Sequence, residues 1–237
     1  MLAGEAAEDE MVAWSALVRA TGRAFEAFVG AKDFPCLGAK AALAKRKLYS
    51  LCAHDISSAR DDERIVATVQ GLATRHDGHS LFVSMAVLFP GSVRLSESDF
   101  EMALWQRLRA IHAIDRRSYR WDASVSNDPA SAGFSMSIGG KAFYVVGLHP
   151  AASRRARRFR CPALVFNLHS QFEQLRADGR YEKLRQAIVR RDIAYDGTAN
   201  PMLAVHGESS EARQYSGRQV GPDWVCPLHA NRRGERR

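Results

Sequence analysis

Apolar residues recur at helical spacing in several parts of the chain. This repeat of three to four residues predicts helices over residues 10–31, 61–75, 98–114 and 171–194. Gly30 stands where the first helix is expected to end, and Gly179 is expected to interrupt the last one. Ser98 and Glu101 have the S-x-x-E spacing of a capping box, so the third helix is expected to begin at Ser98.

Other segments have the composition of strands. Residues 80–89 are almost uniformly apolar, which is typical of a strand buried on both faces. Residues 134–138 alternate between apolar residues and serine, and Gly139-Gly140 suits a two-residue turn into a partner strand over residues 142–148. Two shorter apolar segments complete the predicted strands, residues 48–53 and 163–168.

The mixture of helices with an antiparallel hairpin favours an α+β fold. We expect a single domain over residues 1–230, in which helices flank an antiparallel or mixed central sheet. Residues 231–237, NRRGERR, are expected to form a basic, disordered tail. The sequence has neither a glycine-rich dinucleotide motif nor a P-loop, so no such nucleotide site is predicted.

The composition is that of a globular protein. Of the 237 residues, 46% are hydrophobic, which is too large a fraction for a disordered chain. The longest apolar stretch, residues 81–89, is far shorter than the roughly 20 residues of a membrane span. The acidic N-terminus lacks the basic residues of a targeting peptide, and the cysteines lack the spacing of a zinc site or a disulfide framework. We therefore expect a cytoplasmic protein with no membrane partner.

The net charge of +8 is concentrated in two places. Residues 153–160, SRRARRFR, hold five arginines and no acidic residue, and the tail NRRGERR carries the remaining excess. A nucleic-acid surface usually spreads basic residues over a face and interleaves them with aromatic residues. Nucleic acid is therefore the less favoured partner. A non-enzymatic basic module that binds nucleic acid or another anionic ligand stays open as the alternative function.

A histidine stands between a predicted strand and the arginine cluster. Pro150 cannot continue a central strand, so His149 is expected to lie at the rim of the sheet. Imidazole ligates iron, and guanidinium groups bind propionates or phosphates. The segment therefore predicts a site for an anionic cofactor. The competing interpretation is a surface loop with solvated arginines and a capping histidine.

Other side chains are alternative ligands. His169 follows a predicted strand and His112 lies beside the apolar stripe of a predicted helix, although a lone histidine more often only bonds to its neighbours. Cys36, in the rigid Phe-Pro-Cys segment, offers a thiol that can ligate haem, whereas a buried, inert cysteine is the commoner outcome. Residues 208–218 are polar and aperiodic, as in a binding loop or an exposed loop.

Ordered sequence blocks carry a resemblance to a known family. They are FPC at 34–36 with Lys40, DFE-x3-W at 99–105, IHAID at 111–115, RWD at 120–122, SNDP at 126–129, FSMSIGGKAFYVVGLHP at 134–150, SRRARRF at 153–159, VFNLHSQFE at 165–173, NPML at 200–203, SEARQYSGR at 210–218 and W-x-CP at 224–227. Together they resemble the YqcI/YcgG family, and in particular the branch similar to the haem-dependent N-hydroxylase of guanitoxin biosynthesis. The resemblance covers essentially residues 10–228.

The resemblance implies a haem-dependent monooxygenase. Such an enzyme binds haem b non-covalently and uses O₂ and an external electron donor to hydroxylate a nitrogen of a guanidino or amino group, on arginine or an arginine-like small molecule. A homodimer is an expectation of the same kind, since a haem enzyme this small gains from covering its pocket.

The same resemblance assigns roles to residues. His149 is expected to ligate the haem iron, with Arg154, Arg157 and Arg158 as propionate partners. The carboxylates expected to bind a cationic substrate are Glu101, Asp115 and Glu211. The founding branch of the family has no histidine aligned with His149, so the alternative iron ligands are His169, His112 and Cys36.

Overall fold

A five-stranded mixed sheet runs through the middle of the protein. The computed structural model describes residues 2–75, 81–203 and 208–228, with side chains from residue 8 onward, so the predicted tail at 231–237 lies outside the described residues. The strands are β1 (Leu48–Cys52), β2 (Ser84–Leu88), β3 (Met136–Ile138), β4 (Lys141–Leu148) and β5 (Ala163–Leu168). Their order in the sheet is β1-β2-β5-β4-β3, in which β1 and β2 are parallel and the other neighbours are antiparallel.

Helices lie on both faces of this sheet, which confirms the predicted α+β fold class. They are α1 (Leu2–Gly30), α2 (Leu37–Ala44), α3 (Asp62–Arg75), α4 (Glu97–Asp115), α5 (His169–Ala177), α6 (Tyr181–Asp196) and α7 (Ala212–Tyr215). The predicted break at Gly179 is confirmed, because this glycine adopts a φ of +66° between α5 and α6. Within the described part of the chain, no helix combines the length and the apolarity needed to cross a membrane.

The predicted start of α4 is wrong by two residues. Ser96, not Ser98, is the N-cap, and its Oγ accepts a hydrogen bond from the Asp99 amide at 3.2 Å. Both serines stand three residues before an acidic residue, so the sequence alone favours neither. Glu101, the partner predicted for Ser98, is buried and bonds instead to Arg218, so it does not cap the helix.

The predicted hairpin between β3 and β4 is confirmed. Gly139 and Gly140 adopt φ values of +62° and +69°, the left-handed pair that a two-residue hairpin turn requires. The amide of Gly139 donates to the carboxylate of Asp115 at 2.8 Å, so the turn is also fixed to the end of α4.

Side chains alternate between two apolar layers along the central strands. On the first face of the sheet, Phe143 and Val145 of β4 and Phe166 of β5 belong to a core formed with α3, α4 and α7. On the second face, Leu148 and Val165 belong to a smaller core formed with α1 and α2. A strand buried on both faces has to be apolar at successive positions, which explains the continuous apolar segments in the sequence.

Gly147 of β4 allows the closest approach between the sheet and α4. A Cβ at this position would lie 2.7 Å from Leu104 Cδ1, 2.8 Å from Phe100 Cε1 and 2.8 Å from the Tyr215 carbonyl oxygen. We expect Gly147→Ala to lower the free energy of unfolding by about 1–3 kcal/mol, the usual cost of overpacking a core. Gly221→Ala, where the new Cβ meets no atom within 4 Å, is the control. Equal urea midpoints for the two variants would contradict this packing.

Candidate functional site

A cavity of about 370 Å³ lies against the second face of the sheet, enclosed by α1, α2, α5 and α6. The sheet contributes Tyr144 and Val146 from β4 and Val165 and Asn167 from β5. The wall is largely apolar with a few polar groups, and its volume is typical of sites for small molecules and cofactors. We therefore take this cavity as the candidate functional site.

Helix α6 covers the cavity. Its side chains Leu184, Ile188 and Val189 line the cavity wall, and no residue of this helix is buried as a whole, although the Asp196 side chain is only 7% exposed. Gly179 precedes the helix and Gly197 follows it, both with positive φ and with open space around the position of a Cβ. Helix α6 therefore lies on the outside of the protein and is held there mainly by the contacts of its own side chains.

Arg154 makes the strongest of these contacts. Its guanidinium lies 2.5 Å from the Asp192 carboxylate and 2.7 Å from the Asp196 carboxylate, both on α6, and it also donates to Thr198. The Arg154 side chain is 10% exposed, so both ion pairs are shielded from water. Arg154 is expected from the sequence to hold a propionate, but it does not line the cavity. It binds α6, the helix that covers the cavity.

Arg157 is the one residue of the predicted propionate set that lines the cavity. Its guanidinium donates to the carbonyl oxygens of Gly147 at 3.0 Å, Gln214 at 3.1 Å and Tyr215 at 3.2 Å. Burial lowers its pKa, and the nearby Tyr144 and Asp192 raise it. Arg158 is exposed and bonds to the Ala152 and Ser153 carbonyls, away from the cavity.

Cys36 is the N-cap of α2 and places its thiol in the cavity wall. Its Sγ accepts a hydrogen bond from the Ala39 amide at 3.4 Å. Burial raises the pKa of this thiol, whereas the amides of Ala39 and Gly38 and the charge of Arg157 lower it. Burial outweighs these effects, so the pKa of the thiol is raised and the thiol is protonated in the absence of a positive ligand.

Glu211 is the predicted substrate-binding carboxylate that reaches the cavity. Its Oε1 accepts hydrogen bonds from Ser135 Oγ at 2.5 Å and from the Tyr215 hydroxyl at 2.6 Å. Burial raises the pKa of Glu211 to about 7, against the lowering effect of these bonds. Gln214, which accepts a hydrogen bond from the Tyr144 hydroxyl, lies beside it in the wall.

His169, an alternative iron ligand, also lines the cavity. Its Nδ1 lies 3.2 Å from Ser135 Oγ, and its Nε2 lies 2.9 Å from the Glu173 carboxylate. Both ring nitrogens are therefore engaged within the protein. An iron bound to this ring would have to displace one of these hydrogen bonds.

His149 lies on the other side of the sheet. It follows Leu148 directly, and the alternation of β4 sends its ring to the first face, where it stacks on Phe100 at 4.3 Å. The residue is 1% exposed, burial lowers its pKa to about 4, and its Nδ1 has no hydrogen-bond partner among the described residues. It does not line the cavity.

The remaining predicted residues lie on α4, also on the first face. Glu101 bonds to Arg218 and Ser216, and Asp115 accepts hydrogen bonds from Gln70 and Gly139. The ring of His112 packs edge-on against Trp121 at 4.9 Å. These side chains hold α4 to its neighbours, and the structure does not bring them to the cavity.

Sequence reasoning missed several polar residues of the cavity wall, including Arg185 on α6 and the pair Ser84 and Asn167. The members of this pair are partners in the register of β2 and β5, and Ser84 Oγ donates to Asn167 Oδ1 at 2.6 Å. Ser84 is the only polar residue within β2 and Asn167 the only one within β5, and this interruption of an apolar segment is the signal that could have found them. Within residues 2–75, 81–203 and 208–228, no group of three or more potential metal ligands comes together.

The Arg154 contacts generate a stability prediction. Arg154→Ala leaves two shielded carboxylates without their counter-charge, so we expect the free energy of unfolding to fall by about 3 kcal/mol. Hydrogen exchange should rise first in α6. Arg158→Ala, which removes an exposed arginine of the same cluster, should change stability by less than about 0.5 kcal/mol. Indistinguishable exchange in the two variants would show that Arg154 does not hold α6.

The raised pKa of Glu211 generates a pH prediction. The unfolded chain loses this proton near pH 4.5 and the folded protein near pH 7, so the contribution of Glu211 to the free energy of unfolding should fall as the pH rises between these values, against an opposite contribution from His149, whose pKa is lowered to about 4. The total fall is of the order of 3 kcal/mol. Glu211→Gln should remove this slope in urea titrations, and Glu182→Gln, at an exposed site, should retain it. An unchanged slope in Glu211→Gln would contradict the assignment.

Comparison with known proteins gives one match, to a family profile. No curated protein and no solved structure matches the chain. The sequence profile of the YqcI/YcgG family matches residues 25–229, a range that contains all the cavity-lining residues, from Phe25 to Gln214. The match covers most of the sequence, and the chain therefore belongs to the YqcI/YcgG family.

Proposed function

We propose that this protein is a haem-dependent monooxygenase that N-hydroxylates a guanidino or amino group of arginine or an arginine-like small molecule, with O₂ and an external electron donor. The observation that carries the proposal is the cavity, whose largely apolar wall contains both the thiol of Cys36 and the carboxyl of Glu211. The first offers an iron ligand and the second a partner for a cation. Membership of the family supports the same function, because the haem-dependent branch is the one that the sequence resembles.

The donor set of the cavity suits haem. A cysteine thiolate is one of the axial ligands of haem iron, and a coordinating metal ion deprotonates a thiol outright. The amide of Ala39 already donates to Cys36 Sγ, and the charge of Arg157 favours the anionic sulfur further. Arg157 and Arg185 both line the cavity and would hold the propionates. In this proposal Cys36 would hold the haem iron in place of His149, since His149 lies on the first face of the sheet.

The protein's own groups would position the substrate. Haem, when bound, supplies the activation of O₂, from which one oxygen atom goes to the substrate nitrogen and the other to water. Glu211, once ionised, binds the guanidinium or ammonium group, which would be costly to bury without a counter-charge. The amide of Gln214 lies beside it, and the apolar side chains of α6 exclude water from the reacting end.

An absorption spectrum tests this proposal first. Protein produced with added haem precursor should retain one haem per chain, and the reduced, CO-bound form should show the red-shifted Soret band of thiolate ligation. Cys36→Ala should lose this band, while Cys161→Ala, which removes a buried thiol outside the cavity wall, should keep it.

The same spectra distinguish the other ligands. If Cys36→Ala keeps an unchanged spectrum and folded His149→Ala loses haem, the ligand is His149 and the cavity is not the haem site. If His169→Ala alone loses haem, the ligand is His169. If the native protein retains no haem after reconstitution, the monooxygenase proposal fails and the non-enzymatic basic module gains weight. That alternative has limited support, since Arg154, Arg157 and Arg158 are all engaged in contacts within the protein.

A further inference from the structure

A series of hydrogen bonds leads from the cavity to the surface of α5. Glu211 Oε1 lies 2.5 Å from Ser135 Oγ, and Ser135 Oγ lies 3.2 Å from Nδ1 of His169. The second ring nitrogen of His169, Nε2, lies 2.9 Å from Glu173 Oε1. Ser135 is fully buried, whereas the side chain of Glu173 is 55% exposed, so the series connects an internal wall with solvent.

The outer end of this series fixes the direction of its hydrogen bonds. A hydrogen bond from Arg176 lowers the pKa of Glu173, so this carboxylate is an acceptor at neutral pH. The Nε2–H of His169 then donates to Glu173, and Nδ1 is left as the acceptor for the hydroxyl of Ser135. The Oγ of Ser135 in turn accepts the proton of Glu211 when that carboxyl is neutral. The series therefore runs from Glu211 as donor, through Ser135 and His169, which both accept and donate, to Glu173 as acceptor.

We propose that Glu211, Ser135, His169 and Glu173 form a proton path between the cavity and solvent, along which Glu211 loses its proton when a cationic group binds beside it. The Glu211 O–H bond breaks as this proton bonds to Ser135 Oγ, and Ser135 passes its own proton to Nδ1 of His169. The imidazolium then releases its Nε2 proton to water beside Glu173. One proton leaves the cavity for each cation that enters it, and the reverse sequence returns it.

The groups that face Glu211 make this exchange accessible near neutral pH. They come from separate elements: Tyr144 from β4, Arg176 from α5 and Tyr215 from α7. Burial raises the pKa of Glu211 to about 7, and the Arg176 charge and the hydrogen bonds of Ser135 and Tyr215 keep it from rising further. The path itself stands on these contacts alone, while the cationic ligand rests on the proposed function.

Nuclear magnetic resonance of the protein without haem tests the path. With ¹⁵N-labelled histidine, the ring nitrogens of His169 should show an inflection near pH 7, where Glu211 titrates. Glu211→Gln should abolish this inflection, and Ser135→Ala should reduce its amplitude by more than half. Ser137→Ala removes another buried serine, which bonds to the Asp122 amide off the path, and should preserve it. A native inflection in Ser135→Ala would overturn the proposal.

Arginine, mixed rapidly with the protein and a pH indicator, tests the movement of the proton. Native protein should release the proton as arginine binds, and Glu211→Gln should release none. In Ser135→Ala the release should be slower by about a hundredfold, the lower end of what a positioned proton-transfer group contributes. Release at the native rate in this variant would also overturn the path.

Two further outcomes keep the proposals distinct. If Ser135→Ala does not fold, judged by its circular dichroism, the proton-release experiment is made with His169→Gln, which interrupts the path at a partly exposed position. If arginine does not bind but the His169 ring signals follow the ionisation of Glu211 and this response depends on Ser135, the path stands and the proposed substrate class fails. If arginine binds and the coupling is absent, the path fails and the substrate class stands.

Discussion

The alternation of side chains along β4 and β5 is the constraint on which the rest of the molecule depends. Each of these strands pairs with another strand on both sides, and each face of the sheet is covered by a packed layer. Consecutive residues therefore point into different layers. In β4, Phe143 and Val145 face α4, while Tyr144 and Val146 face the cavity. A shift of one residue would exchange the two sets, so the register that builds the core also selects the residues of the site.

Two arginines of the cluster at residues 153–160 make structural contacts within the protein. Arg154 and Arg157 are three residues apart, with a 3-10 turn at Arg155–Arg157 between strand β4 and strand β5. Arg154 pairs with the two aspartates of α6, and Arg157 enters the cavity wall and bonds to carbonyls of β4 and α7. This short segment therefore anchors α6 over the cavity and places the positive charge of Arg157 in the cavity wall. Solvated positive charge is not its main role.

Prediction from the sequence succeeded where the determining interactions are local. Helix periodicity, the Gly139-Gly140 turn and the break at Gly179 depend on neighbouring residues, and all three were found. The start of α4 was misplaced, because Ser96 and Ser98 are equivalent until the burial of Glu101 removes it as a capping partner. The local pattern identifies the helix but does not show which of the two serines is its N-cap.

The candidate site was only partly predictable. Glu211, Arg157, Cys36 and His169 were each named from the sequence, and the structure brings them to one cavity although they come from separate segments. The sequence favours His149 as the iron ligand because it stands at the end of a strand. That position does not determine which face of the sheet its ring lies on.

Local periodicity and ordered motifs predict the fold class, the family and most of the helices and strands, but they do not predict α2 or α7. Which polar groups line the same cavity depends on the tertiary structure. That outcome depends on strand register, on the alternation of faces and on the pairing of buried charges, and each of these joins residues that are far apart in the chain.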